Sequence, residues 1–366
     1  MRFGLHIPQG RRLDLLGIDP EQHWGVMAGL ARRADSSDDW TAVWIDDHFH
    51  AAPLAAPAPT HEAWSVTAAL AAVTGRVRLG VLSTCLPHRF PATLAKTIAT
   101  VDVISEGRLD LGFGVNGHEP EWRAYGHGFP SSDERVDALE EGIEVLRQAW
   151  TQGRIDRGPL RAAMTLPVPL QDGTAAQTGP GVPMWFVADH DRMVELAVRH
   201  GDAVILPTAP EAFAAWGESL DDRCHQDGRD VDEITRAAEY DVVIGRDEEE
   251  VRSRLDWYHD HLVGAGLSHD LATEQVHALT GQPLVGPVEQ VVEELFALRA
   301  NGLTYAMCQF TEAAYDLSGV DLFERAVIPE LRGVGTHPSG HDASRDEGRH
   351  DENRGGFRLF GRHDHH

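Results

Sequence analysis

The sequence predicts an α/β fold of the (β/α)8 class, a TIM barrel with an insertion after its fourth main helix and a disordered C-terminal tail. Three observations predict it. Short β-rich runs alternate with longer amphipathic runs along most of the 366 residues. Several strand runs, such as Ala42-Val43-Trp44-Ile45, are continuously apolar, as expected of parallel strands covered on both faces. The alternation yields eight strand–helix units; such alternation implies parallel pairing with right-handed crossovers, and eight units close a barrel. An open doubly wound sheet is the rival arrangement.

The first strand is predicted over 2–7, followed by a helix over 20–33 with Pro20 in its first turn, where a missing N–H is tolerated. A second strand covers 42–46 and an Ala-rich helix 61–73. A third strand (77–82), a helix (91–104) and a fourth strand (108–115) follow. Ser131 and Glu134 form a capping-box signature, after which Val136, Leu139, Ile143, Leu146 and Trp150 share one helix face. The pattern lapses from 151 to 183, a stretch rich in Gly, Pro and polar residues that reads as a functional or mobile loop. Strands over 184–187, 203–206 and 237–244 alternate with helices over 192–200, 211–226 and 248–263. After a second irregular stretch (264–286) come a helix (288–300), the last strand (305–309) and a closing helix (321–331). Residues 1–332 therefore read as one domain. Residues 333–366, poor in apolar side chains and holding six of the 21 histidines, read as a solvated tail, with metal binding the less favoured alternative.

Composition excludes several function classes. A formal net charge of -26 argues against nucleic acid, which demands a dense positive footprint, and against anionic membrane surfaces. No apolar stretch of about 18 residues predicts a membrane span, and the N-terminus lacks the apolar run of a signal peptide. Cys85, Cys224 and Cys308 fit neither a disulfide framework nor metal spacing, so a reducing cytoplasm is expected.

In a barrel the chemistry sits at the strand C-terminal ends. The second strand ends in Asp46-Asp47-His48-Phe49-His50. Carboxylates and imidazoles beside a buried strand are costly unless paired or used. An imidazole beside a carboxylate can act as acid or base near neutral pH. Capping of the next helix or pairing with arginine is the structural alternative. Gly112-Phe113-Gly114-Val115-Asn116-Gly117 fits G-x-G-x-x-G, but it follows the fourth strand and opens no helix at once, so a dinucleotide site is not expected. The glycines instead suggest a close backbone approach to a ligand or a neighbouring strand.

Four segments carry a resemblance. They are Trp40 to Phe49, ending in Asp47-His48-Phe49; Gly75 to Gly80 leading to Pro91 to Lys96; Asp102 to Leu109 running into Gly112-Phe113-Gly114; and Glu119 to Gly126 followed by Glu134-Arg135. In this order and spacing, residues 1–330 resemble the bacterial-luciferase-like oxidoreductases, which use reduced FMN or the deazaflavin F420. The resemblance implies a (β/α)8 barrel with the cofactor ring across the strand ends, a bulge near Val81-Leu82-Ser83 supporting it, and Asn116 and Gly117 beside the ring or substrate. It implies His48 as the proton-handling residue, oriented by Asp47, with Asp46 at the ring. It places Ala188, Asp189 and His190 at the turn that elsewhere holds the cofactor phosphate. This turn lacks the usual glycines, and Asp189 and Asp191 oppose an anion, although Arg192 and the next helix start could bind one. Expected partners are a small organic substrate, O2, a flavin reductase and a second copy of the chain. Two other functions stay open: a member that has lost its cofactor and acts as a binding protein, and a metal-dependent barrel hydrolase using Asp46, His48 and His50.

Overall fold

The computed structural model describes residues 1–51, 58–115, 117–157, 160–163, 167–172 and 179–332. The predicted tail (333–366) and Asn116 lie outside the described residues. Strands β1 (Arg2–His6), β2 (Ala42–Asp46), β3 (Arg78–Thr84) and β4 (Leu109–Phe113) precede a hairpin of β5 (Arg154–Arg157) and β6 (Leu160–Ala163). Then come β7 (Met184–Val187), β8 (Ala203–Ile205), β9 (Thr235–Gly245), β10 (Val285–Pro287) and β11 (Tyr305–Phe310). Eight strands pair in parallel in the order β1-β2-β3-β4-β7-β8-β9-β11, and β11 pairs with β1 to close the barrel. This is the predicted architecture; β10 adds to β9 outside the ring.

The helices are α1 (Pro20–Asp35), α2 (Ala63–Ala71), α3 (Pro91–Ile104), α4 (Glu119–Ala124), α5 (Ser132–Gln152) and α6 (Asp191–His200). They continue as α7 (Pro210–Asp227), α8 (Glu248–Gly264), α9 (His269–Thr280), α10 (Val288–Ala300), α11 (Ser318–Ala326) and α12 (Ile328–Arg332). The capping box forms at α5, and all five residues of its predicted face are buried. Several elements depart from the sequence reading, among them β10, which lies at the end of 264–286, and the closing helix, which divides into α11 and α12. The hairpin β5–β6 lies within 151–183, read as loop, because two four-residue strands carry too little alternation to register. Helix α9 lies within 264–286; it buries only Ala272 and Leu279, so no apolar stripe marks it. Helix α4 spans six residues, too few to display a helical period.

Alternation along each strand divides the core into two layers. Val43 and Ile45 face outward into the main hydrophobic cluster beneath the helices. Ala42 and Trp44 face inward, with Leu82, Trp185, Tyr305 and Met307, and plug the barrel. The Trp44 ring packs edge-on against Trp185 at 4.9 Å, and its Nε1–H donates to the Tyr305 hydroxyl at 3.1 Å. This plug requires glycine beside it, since a Cβ on Gly80 would lie 2.1 Å from the Trp44 ring. Trp44 is fully buried and cannot yield, so Gly80→Ala is expected to destabilise the fold by about 1–3 kcal/mol. Urea denaturation monitored by tryptophan fluorescence checks this.

Candidate active site

The plug closes the barrel from below, so the space at the C-terminal strand ends is a cavity rather than a channel. Its volume is about 490 Å³, within the range of small-molecule sites. Asp46 and His48 contribute from the end of β2, and Leu82 and Ser83 from β3. Val187 and Ile205 add an apolar side. Arg11, Arg12 and Asp14 reach in from the loop after β1, and Glu239 and Asp241 from the inner face of β9.

The end of β3 is bulged. Its register with β4 shifts between Val81 and Thr84, and the Leu82–Ser83 peptide is cis. The glycines of β4 allow this. A Cβ on Gly112 would lie 2.7 Å from the Val81 carbonyl oxygen, and one on Gly114 would lie 2.6 Å from the Ser83 hydroxyl. The G-x-G pattern is thus explained by close approach to the bulged neighbour strand, the structural alternative to a dinucleotide motif.

His48 and Asp47 take different partners from those expected. His48 Nδ1 lies 3.1 Å from Glu121 Oε2 on α4. Glu121 is fully buried. Burial pushes its carboxyl upward, but the His48 hydrogen bond and charge outweigh that and hold it below the usual carboxylate range. The Asp47 carboxylate turns away into a fork–fork pair with Arg89, with Nη2 at 2.7 Å from Oδ1. Arg89 also donates to Glu62 at 2.7 Å. The orientation expected of Asp47 therefore comes from Glu121, and Asp47 fixes the segment that carries His48. On the far side of Glu121, His88 Nδ1 lies 3.9 Å away, and burial lowers the His88 imidazole to about 4.

A second charged group surrounds Arg12. Its guanidinium contacts Glu239 at 2.5 Å, Asp241 at 2.8 Å and Asp46 at 3.8 Å. Buried His6 lies 3.7 Å from both Asp46 and Glu239. Burial raises the Asp46 carboxyl, yet His6 and Arg12 more than offset this and lower it. Among the described residues, His6, Asp46 and Glu239 are the group whose spacing could hold a metal ion. The set expected of a hydrolase (Asp46, His48, His50) does not converge, and Arg12 already lies against Asp46 and Glu239.

Asp14 is 4% exposed and accepts the Gly10 N–H at 2.7 Å. Burial raises its carboxyl to about 6. Since the folded value exceeds the unfolded one, its contribution to stability is full below about pH 4 and is lost as pH rises through 6. Asp14→Asn, which mimics the protonated acid, is therefore expected to match the wild-type melting midpoint near pH 4 and exceed it increasingly toward pH 7. Melting curves across this range check it.

The remaining predicted residues stay outside the cavity lining. Gly117 lies between β4 and α4, with open space at its Cβ position. Ala188 is buried behind β7, and Asp189 is exposed. His190 caps α6, its Nδ1 accepting the Arg192 N–H at 3.2 Å. The Arg192 guanidinium is held by Asp137 at 2.6 Å and lies 3.7 Å from Glu140. The one cation of this turn is thus engaged by acids of α5. Sequence reasoning missed Glu121, Arg11, Arg12, Glu239 and Asp241. Only the β9 pair left a signal, two acids at alternate positions of an otherwise apolar strand.

The profile of the luciferase-like monooxygenase family matches residues 1–305. The chain belongs to this family. Among the relatives of this luciferase-like chain is the phthiodiolone/phenolphthiodiolone dimycocerosates ketoreductase of Mycobacterium bovis, 28% identical over 208 residues. That match covers 54% of this chain and 51% of the relative, so it spans about half of the ketoreductase's length. The F420-dependent glucose-6-phosphate dehydrogenase of Nocardia farcinica is 26% identical over 325 residues, covering 79% of this chain and 89% of the relative. A solved structure of riboflavin lyase with modified FMN and riboflavin has a TM-score of 0.72 at 19% identity, covering 94% of each chain. This likeness shows the shared barrel. No helix among the described residues of the luciferase-like chain is long and apolar enough to cross a membrane.

Proposed function

We propose that the barrel mouth holds a flavin-type ring, FMN or F420, and that the chain is an oxidoreductase acting on a small organic substrate. The observation that carries this reading is His48 on the cavity wall, tied through Nδ1 to buried Glu121 and lying beside the bulged end of β3. The donor set fits a planar ring, with Leu82, Val187 and Ile205 offering apolar surface and Ser83 and Gln309 offering polar edges. When bound, the cofactor would supply hydride or oxygen chemistry, and the protein positions and shields it. FMN would make the reaction a monooxygenation, with O2 and a flavin reductase as partners; F420 would make it hydride transfer at carbon.

The chain's own part is proton handling. With Nδ1–H directed to ionised Glu121, His48 Nε2 is the nitrogen that accepts or returns a proton. Glu121 fixes this tautomer. Leu82 and the Trp44 plug keep bulk water from below the site. The closing test is native mass spectrometry with metal analysis, alone and with FMN or F420. One equivalent of either cofactor per chain and no stoichiometric metal supports the reading; stoichiometric zinc refutes it.

A second reading, a family member that no longer binds the cofactor and acts as a binding protein, is favoured by Asp189 and Asp191 at a turn whose arginine is engaged elsewhere. If the cofactor phosphate still approaches this turn, Asp189→Gly is expected to tighten FMN binding by roughly 3–10-fold, the size of one screened charge. Unchanged, already tight binding would show that the phosphate lies elsewhere.

A further inference from the structure

We infer that Arg11 is an oxyanion anchor within the mouth, its guanidinium receiving a carboxylate or phosphate group of the ligand that fills the cavity. Arg11 lines the same cavity as His48 and is half-buried. Among the described residues, no side chain or carbonyl forms a hydrogen bond or ion pair with it. A half-buried guanidinium without a protein partner keeps its donors for a ligand, and a planar fork of donors matches an oxyanion in bidentate geometry.

The surroundings leave Arg11 available. Arg12, its neighbour, is saturated by Glu239, Asp241 and Asp46, and Asp14 is engaged by the Gly10 N–H. Burial disfavours the Arg11 charge, while Asp46, Glu121 and Glu239 act through space to sustain it without touching it. Those acids repel a loosely held anion, so the site selects a group that contacts Arg11 directly. The turn after β7, in contrast, has its arginine committed to Asp137 and Glu140. The negative end of the ligand therefore belongs near the loop after β1. Two sources share this chemistry, the cofactor phosphate and an acidic group of the substrate. The inference rests on the cavity being the ligand site, yet its test does not require a flavin to bind.

Inorganic phosphate, FMN and riboflavin are titrated calorimetrically into wild type, Arg11→Gln and Arg11→Lys. Phosphate affinity is expected to fall roughly 10–100-fold in Arg11→Gln and to recover in part with lysine. A parallel loss for FMN with riboflavin unchanged assigns the cofactor phosphate to Arg11. FMN unchanged while phosphate binding is lost assigns the substrate's acidic group. Phosphate binding equal in wild type and Arg11→Gln, or undetectable in wild type, overturns the anchor. If phosphate binding depends on Arg11 but none of FMN, riboflavin and F420, the last titrated alongside, binds, the anchor stands and the reading of a flavin-type ring falls. Equal melting midpoints of the three proteins confirm intact folds.

Discussion

Replacing His48 by alanine is expected to lower turnover by about 10²–10⁴-fold while the protein remains folded with a lowered melting midpoint. The size follows from the loss of a positioned acid–base group. The fold survives because the ring lines the cavity and is partly exposed, although buried Glu121 loses a hydrogen-bond partner. Glu121→Gln separates positioning from packing. The amide keeps the shape of the buried side chain and can still accept from Nδ1–H, but it carries no charge. Turnover should therefore fall, with cofactor affinity and the melting midpoint retained. A His48→Ala enzyme that turns over at the wild-type rate would remove His48 from the mechanism.

Replacing Asp47 by alanine is expected to act mainly on the fold, destabilising it by about 3–5 kcal/mol. Asp47 is 1% exposed and forms one half of a buried pair with Arg89, and removing one partner leaves the other charge uncompensated. Glu62 retains one contact to that guanidinium, which places the expected loss toward the lower end of this range. The discriminating result is kinetic. An Asp47→Asn protein that remains folded should keep wild-type turnover, because the carboxylate facing His48 is that of Glu121. A loss of turnover in folded Asp47→Asn with Glu121→Gln unaffected would restore the role to Asp47.

These two results bear on what the sequence can disclose. The barrel is legible because each inner strand is covered on both faces, so runs such as Ala42 to Ile45 must be apolar throughout, and because α5 carries its own start signal at Ser131 and Glu134. His48 is legible because a strand end in a barrel is a site by topology. Its partner is not. Glu121 lies 73 residues away on a six-residue helix whose only local mark is a Pro in its first turn. The fate of Asp47 depends on Arg89, 42 residues on, just after a 3-10 turn. Adjacent residues Asp47 and His48 invite pairing, but alternating backbone directions send the side chains to different neighbours. Arg11 and Arg12 sit in a loop without periodicity, and only coordinates reveal that one is saturated and the other is not. Glu239 and Asp241 were readable, since two acids on one face of a barrel strand are tolerated only at its open end.

A flavin-type ring in the mouth beside the bulge of β3 is tested most directly by a titration of FMN and of F420, read from ring absorbance, on the wild-type protein and on Val187→Trp, which adds bulk to the apolar side of the cavity. A saturable spectral shift is expected with one of the two cofactors, at one equivalent per chain, and is expected to be abolished in a folded Val187→Trp protein. No shift with either cofactor, or a shift that Val187→Trp leaves intact, would contradict a ring at this site.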